Sequence, residues 1–126
     1  QSDFTQTFRK LSSLLDKKNE KEWFTLFSNP GKPELKNWIA KWKNRIELND
    51  VNRPSIKDQL KNNNPRIIPR NHLIERCISK ALMGDLNLFH RLLKALEKPY
   101  INQPEFYEFS IPPKNSEIVH QTFCGT

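Results

Sequence analysis

The sequence predicts an all-α protein: a compact bundle of about five to six short helices ending in a helical hairpin, then an extended, aromatic and proline-containing C-terminal tail. Three observations carry that prediction. Apolar residues recur with a 3.6-residue period in successive segments. Those segments are separated by Asn, Pro and Gly punctuation, as at Asn29-Pro30-Gly31, Asn62-Asn63-Asn64-Pro65 and Gly84-Asp85. Only 3 Gly stand against 9 Pro in 126 residues, which argues against a sheet protein built on tight glycine turns and against a Gly-rich phosphate loop.

The elements follow in order. Phe4, Phe8, Leu11 and Leu15 form one helical stripe, with Asp3 placed as N-cap and Gln6 three residues on, the order of a capping box. The stop is expected near Asp16, before the polar Lys17-Lys18-Asn19. Asn19 can cap a second helix, with Glu22 at its third position and Trp23, Phe24 and Phe27 as its aromatic face. Asn29-Pro30-Gly31 is its expected end. Pro33 suits the first turn of a third helix, on which Leu35, Trp38, Ile39, Trp42 and Ile46 share a face and Lys36, Lys41, Lys43 and Arg45 fall off it. Pro54 or Ser55 opens a weaker fourth helix, with Ser55 and Asp58 as a capping box and little to bury beyond Ile56 and Leu60.

Pro69-Arg70-Asn71 leads into the cleanest helix, striped by Leu73, Ile74, Cys77, Ile78, Ala81 and Leu82. Gly84 is its expected C′ residue, because glycine takes the left-handed conformation without a Cβ penalty. Asp85 can cap the next helix at once, with Leu86, Phe89, Leu92, Leu93 and Leu96 as its apolar face and Pro99 as its stop. So short a turn makes these two helices an antiparallel hairpin. From residue 100 onward, Tyr100, Phe106, Tyr107, Phe109 and Phe123 make the tail too aromatic for pure disorder. It is expected to be extended with one helical turn, and to pack across the helices or across something absent from this chain.

The length suits one domain, residues 1–126, with N-terminal helices over 1–63, the hairpin over 64–99 and the tail over 100–126, and leads us to expect one hydrophobic core. The chain opens on Gln1 and reads as a fragment or a processed chain, with no signal peptide and no apolar run near the ~20 residues of a membrane span. Two cysteines make no disulfide framework, so a cytoplasmic setting is expected. The net charge is +7, concentrated over residues 32–45 and 53–70 at +4 each, while the tail from residue 99 is acidic.

No catalytic motif stands out: no phosphate loop, no nucleophile elbow, no metalloprotease His-Glu pair and no metal-ligand spacing among Cys77, Cys124, His72, His90 and His120. We therefore assign no catalytic, cofactor-binding or metal-ligating residue. Trp38 and Trp42 among lysines suit base stacking, but their place on an amphipathic stripe favours a core role. Cys77 reads as a buried small hydrophobe. Cys124, near the chain end, is a redox candidate, with an inert tail thiol as its alternative. Arg70 and Asn71, just before a helix, are an anion-binding or a structural capping motif. The three histidines read as surface or cap residues. Residue chemistry alone thus describes a basic helical domain, with a nucleic-acid-binding or protein–protein interaction module as the alternative to any enzymatic context.

One series of residues is more specific. Asn64-Pro65 followed by Arg70-Asn71-His72-Leu73 resembles the NP…RN-(H/Y)-L signature of the selenoprotein O family. Ile78 and Ala81, Gly84-Asp85, Leu92-Leu93 with Leu96, Pro99-Tyr100 and Pro112-Pro113 resemble its later motifs in the same order. The ending Thr122-Phe123-Cys124-Gly125-Thr126 is similar to the terminus of bacterial members. Upstream, Asp3-Phe4-Thr5 with Phe8-Arg9 and Leu11 is similar to DFT..FR.L, and Trp38 with Arg45 to a W…R helix. The resemblance is strong over 64–126 and looser over 17–62. It implies a kinase-like parent enzyme that transfers AMP from ATP to protein hydroxyl groups with a divalent metal such as Mg2+. It also implies that this chain is the C-terminal region, lacking the ATP- and metal-binding residues. Its partners would be the upstream kinase-like domain and the parent's protein substrates, with no membrane and no nucleic acid. Some animal members carry selenocysteine near the C-terminus, a location similar to that of Cys124.

Overall fold

A computed structural model of the chain describes residues 2–16, 20–48 and 53–121, with the backbone alone at 53–55. These residues form helices and no strand. They fall into two compact units, Gln1–Asn64 and Pro65–Thr126. An apolar cluster forms in each, where the length led us to expect one core.

In the first unit, α1 spans Phe4–Arg9. The Asp3 carboxylate accepts from the Gln6 N–H at 2.7 Å, satisfying one of the orphan donors of the first turn. At Lys10 the chain tightens into a 3-10 helix, Leu11–Leu15. Three residues per turn put Leu11 and Leu14 on one face, and both are buried. The expected stripe is corrected accordingly. Phe4 is 76% exposed and Leu15 only half-buried, because the period changes beneath them.

Helix α2 spans Glu20–Phe24 and buries Trp23. Asn19, its expected cap, lies outside the described residues. The helix stops well before Asn29-Pro30-Gly31. Two tight turns follow, with the Leu26 N–H donating to the Trp23 carbonyl and the Phe27 N–H to that of Phe24. They return Phe24, Leu26 and Phe27 to the core.

Helix α3, Pro33–Leu48, buries only Ile39, with Leu35 and Trp42 partly buried against the same cluster. Trp38 is 41% exposed, in a row of near-parallel indoles. It lies 6.4 Å from Trp23 and 6.3 Å from Trp42, centroid to centroid. Helix α4 spans Arg53–Asn63, buries Ile56 and sets Leu60 against the cluster. The Ser55 side chain, expected in its capping box, is outside the described ones. The Arg9 guanidinium donates to the carbonyls of Lys61 and Asn64, a cationic cap on the C-terminal end of α4 that ties the first helix to the fourth. Half-exposed ion pairs Lys43–Glu20 at 2.8 Å and Lys57–Asp16 at 3.0 Å add little each.

In the second unit, the Arg66 and Ile67 N–H groups both donate to the Pro99 carbonyl, at 2.8 and 3.3 Å, anchoring the buried Ile67. Helix α5 is Asn71–Leu82. It ends in a Schellman motif: the Asp85 N–H donates to the Lys80 carbonyl, and the Gly84 N–H to that of Ala81. Gly84 takes φ +82°, as expected of the C′ residue, and a Cβ there would meet nothing within 4 Å. Gly84→Ala should therefore cost only the backbone strain, about 1 kcal/mol, read as a lower urea midpoint of this unit. An unchanged midpoint would mean the hairpin tolerates another turn.

Helix α6 spans Asn87–Leu96 with Leu86, not the expected Asp85, at its N-cap; the Asp85 carboxylate, one residue earlier, accepts from the Asn87 N–H at 3.0 Å. The expected hairpin stripes need correction. On α5 His72, Leu73 and Cys77 are buried, whereas Ile78, Ala81 and Leu82 are exposed. On α6 the inner face is Leu88, Leu92, Ala95 and Leu96, and the leucine stripe of Leu86, Phe89 and Leu93 faces out. The cause is a third layer. A 3-10 segment, Pro104–Ser110, packs against α6 and buries Phe106 and Phe109 in the same cluster as Leu73 and Leu92. The buried face of α6 is therefore shared between α5 and this segment. The Gln103 amide closes the end of α6 by donating to the Ala95 and Lys98 carbonyls, both at 2.9 Å. The tail is thus helical in part, with a further 3-10 turn at Asn115–Glu117. Among the described residues no helix is long and apolar enough to cross a membrane.

Candidate functional site

Two concavities of the second unit stand out among the described residues. The first lies at the N-terminal end of α5. It holds about 310 Å³ and is lined chiefly by Ile68, Arg70, His72, Pro113, Glu117 and Ile118. Sequence places Arg70 and Asn71 side by side, but the structure separates their roles. Arg70 is buried, and its guanidinium donates to the Ser110 carbonyl at 3.4 Å, fastening the tail to the start of α5. Asn71 is the exposed first residue of the helix. Cys124 lies outside the described residues.

His72, read from sequence as a surface or cap residue, is buried in the first turn of α5. His90 and His120 are exposed. Burial holds the His72 imidazole below its ordinary value of 6.5, and the Arg70 and Arg76 charges push the same way against the pull of Glu117. The Glu117 carboxylate accepts from the Lys114 N–H at 2.9 Å, and this bond chiefly holds it below the ordinary carboxylate range, with His72 and Lys114 adding to the effect. Sequence reasoning missed the meeting of His72 and Glu117, because they are far apart in the chain and no spacing pattern links them.

The titration of His72 has a defined sign. Above pH 6.5 the imidazole is neutral in both folded and unfolded chains, and its contribution to stability is complete. As pH falls below that value, the unfolded chain takes up a proton that the folded site resists, and stability is lost until the lowered folded pKa is reached. The urea midpoint of this unit should therefore drop as pH falls through 6.5, and His72→Gln should flatten the drop. Equal slopes in both proteins would remove His72 as the cause.

The second concavity is a groove of about 330 Å³ between α5 and α6, lined by Ile74, Cys77, Ile78, Ala81, Leu86 and Phe89. Its walls are apolar. Burial pushes the Cys77 thiol up, so at neutral pH it is a protonated, packed side chain, as its place on the stripe led us to expect.

Neither concavity offers the oxygen-rich ligand set that a divalent cation such as Mg2+ needs. The first offers one carboxylate and one imidazole, and the second offers no oxygen ligand; hard divalent cations need several oxygens. Among the described residues no group of three or more His, Cys, Asp or Glu side chains could hold a metal ion.

Comparisons with known proteins match this helical chain from end to end. The family model for the protein adenylyltransferase SelO matches residues 1–97. The chain is similar to the protein nucleotidyltransferase YdiU of Rhizobium etli, at 41% identity over 99% of this chain and 25% of the relative. The YdiU proteins of Nitrobacter hamburgensis and Bacillus cereus are 39% and 37% identical, over 100% and 99% of this chain and 25% and 24% of theirs. No solved structure matches it. The chain therefore spans about a quarter of the length of these relatives. With the SelO model covering well over half of its residues, the chain belongs to the SelO family of protein adenylyltransferases.

Proposed function

We propose that this chain is the C-terminal helical accessory region of a protein adenylyltransferase that moves AMP from ATP onto protein hydroxyl groups, and that the catalytic residues lie in the rest of the parent. One observation carries the reading: relatives with a nucleotidyltransferase name match essentially all of this chain, yet the chain accounts for about a quarter of each. In this reading residues 1–126 work as one region that buttresses the upstream kinase-like domain and shapes access for protein substrates. ATP and Mg2+ bind in that upstream domain. The parent acts in the cytoplasm, without a membrane or nucleic-acid partner. Arg70 and Asn71 form a structural motif at the start of α5, and Cys124 is the redox candidate by its position near the end.

The test is ATP binding and AMP transfer by this chain beside its full-length parent, with mass spectrometry of the protein products. Metal-dependent AMP transfer by the parent and none by the 126-residue chain is the expected result. Phosphate transfer in place of AMP would remove the activity, and an active 126-residue chain would overturn the accessory role.

A further inference from the structure

We propose that the apolar groove between α5 and α6 is an intramolecular docking surface, filled in the parent by an apolar segment of the chain outside these 126 residues. The inference rests on the accessory-region reading and assigns it a contact surface. Ile74, Cys77, Ile78, Ala81, Leu86 and Phe89 line the groove. Phe89 is 46% exposed, and Leu82, beyond the groove on the same hairpin, 84%. Met83 and Leu93 on the same hairpin are exposed as well.

Of the lining residues, Cys77 belongs to the hairpin's core and Ile74 packs against it, whereas Ile78, Ala81, Leu86 and Phe89 are exposed and lie outside it. Leu73, Cys77, Leu88, Leu92, Ala95 and Leu96, with Phe106 and Phe109, already make its core. A contiguous arc of large apolar side chains left in water marks a contact surface, whereas scattered single ones do not. The groove carries no charged lining residue, so it selects an apolar partner and offers nothing to an acidic or basic one.

The occupant follows from length. About three quarters of each matched relative lies outside the part that this chain covers. A segment on the same polypeptide meets the groove at a high effective concentration, on the order of millimolar for a short flexible connection. It therefore fills the groove with less intrinsic affinity than a separate molecule or a second copy would need.

The experiment places a photoreactive benzoylphenylalanine at Phe89 of the full-length parent, and in a second variant at Ile78. Equal amounts of light and heavy-isotope protein are mixed and irradiated, and cross-linked peptides are read by mass spectrometry. We expect both probes to join a peptide from outside residues 1–126, with both halves of each cross-link of one isotope. Mixed-isotope cross-links would put a second copy in the groove and overturn the proposal. So would cross-links to residues 1–64, or none from either position. AMP transfer is measured on the same preparations. The expected cross-links in a protein that transfers no AMP would discard the activity and keep the surface; AMP transfer without them would do the reverse.

Discussion

Replacing Trp23 with alanine is expected to unfold the first unit. The indole is 1% exposed and lies in a cluster with Leu11, Leu14 and Ile39. Truncating a large buried aromatic costs about 3–5 kcal/mol, a large share of the roughly 5–15 kcal/mol that holds a typical domain together. The indole N–H also donates to the Thr7 carbonyl at 2.9 Å, linking α2 to α1. Trp23→Phe retains a ring but removes that donor, and should cost about 1–3 kcal/mol from the unsatisfied carbonyl, in addition to the lost ring volume. Phe4→Ala serves as the contrast. Phe4 belongs to the stripe read from sequence but is exposed, so its loss should stay within about 0.5 kcal/mol. Urea unfolding followed by Trp38 and Trp42 fluorescence measures all three. A Phe4 effect as large as that of Trp23 would overturn the placement of this core.

Phe109→Ala is expected to be the most damaging change in the second unit. The ring is 1% exposed, stacks on Phe106 at a centroid distance of 6.0 Å and sits beneath the Arg91 guanidinium at 5.7 Å. Its removal should cost about 3–5 kcal/mol and release the segment that covers α6. Arg91 also pairs with Glu108 at 2.6 Å, but that pair is half-exposed and is screened by salt. The loss should therefore persist at high ionic strength. Hydrogen exchange would read it as lost protection in residues 104–110 together with α6. Tyr107→Ala, at an exposed neighbour, should leave both unchanged. Retained protection in the Phe109 variant would mean that the tail is held by other contacts.

Local signals were legible where they act over a few residues. The Asp3 cap meets the Gln6 amide, Gly84 takes positive φ, and Asp85 accepts from the amide of Asn87. Each depends on neighbours within a turn of chain. The motif series that resembles the selenoprotein O family was equally legible, and the SelO match over residues 1–97 agrees with it. The candidate sites were less so. Arg70 was visible as a residue before a helix, but its bond to the Ser110 carbonyl joins segments forty residues apart.

Composition, periodicity and punctuation determined by themselves that the chain is helical, where most helices lie and that two of them form a hairpin. Only the tertiary structure decided which part of each apolar arc is covered. Helix α6 with its N-cap is apolar at Leu86, Leu88, Phe89, Leu92, Leu93, Ala95 and Leu96, an arc wider than one neighbour can bury. Periodicity locates such an arc but cannot choose its centre. The choice fell to Leu88, Leu92 and Ala95 because the 104–110 segment packs on α6 beside α5, and that contact joins residues whose separation no local pattern encodes.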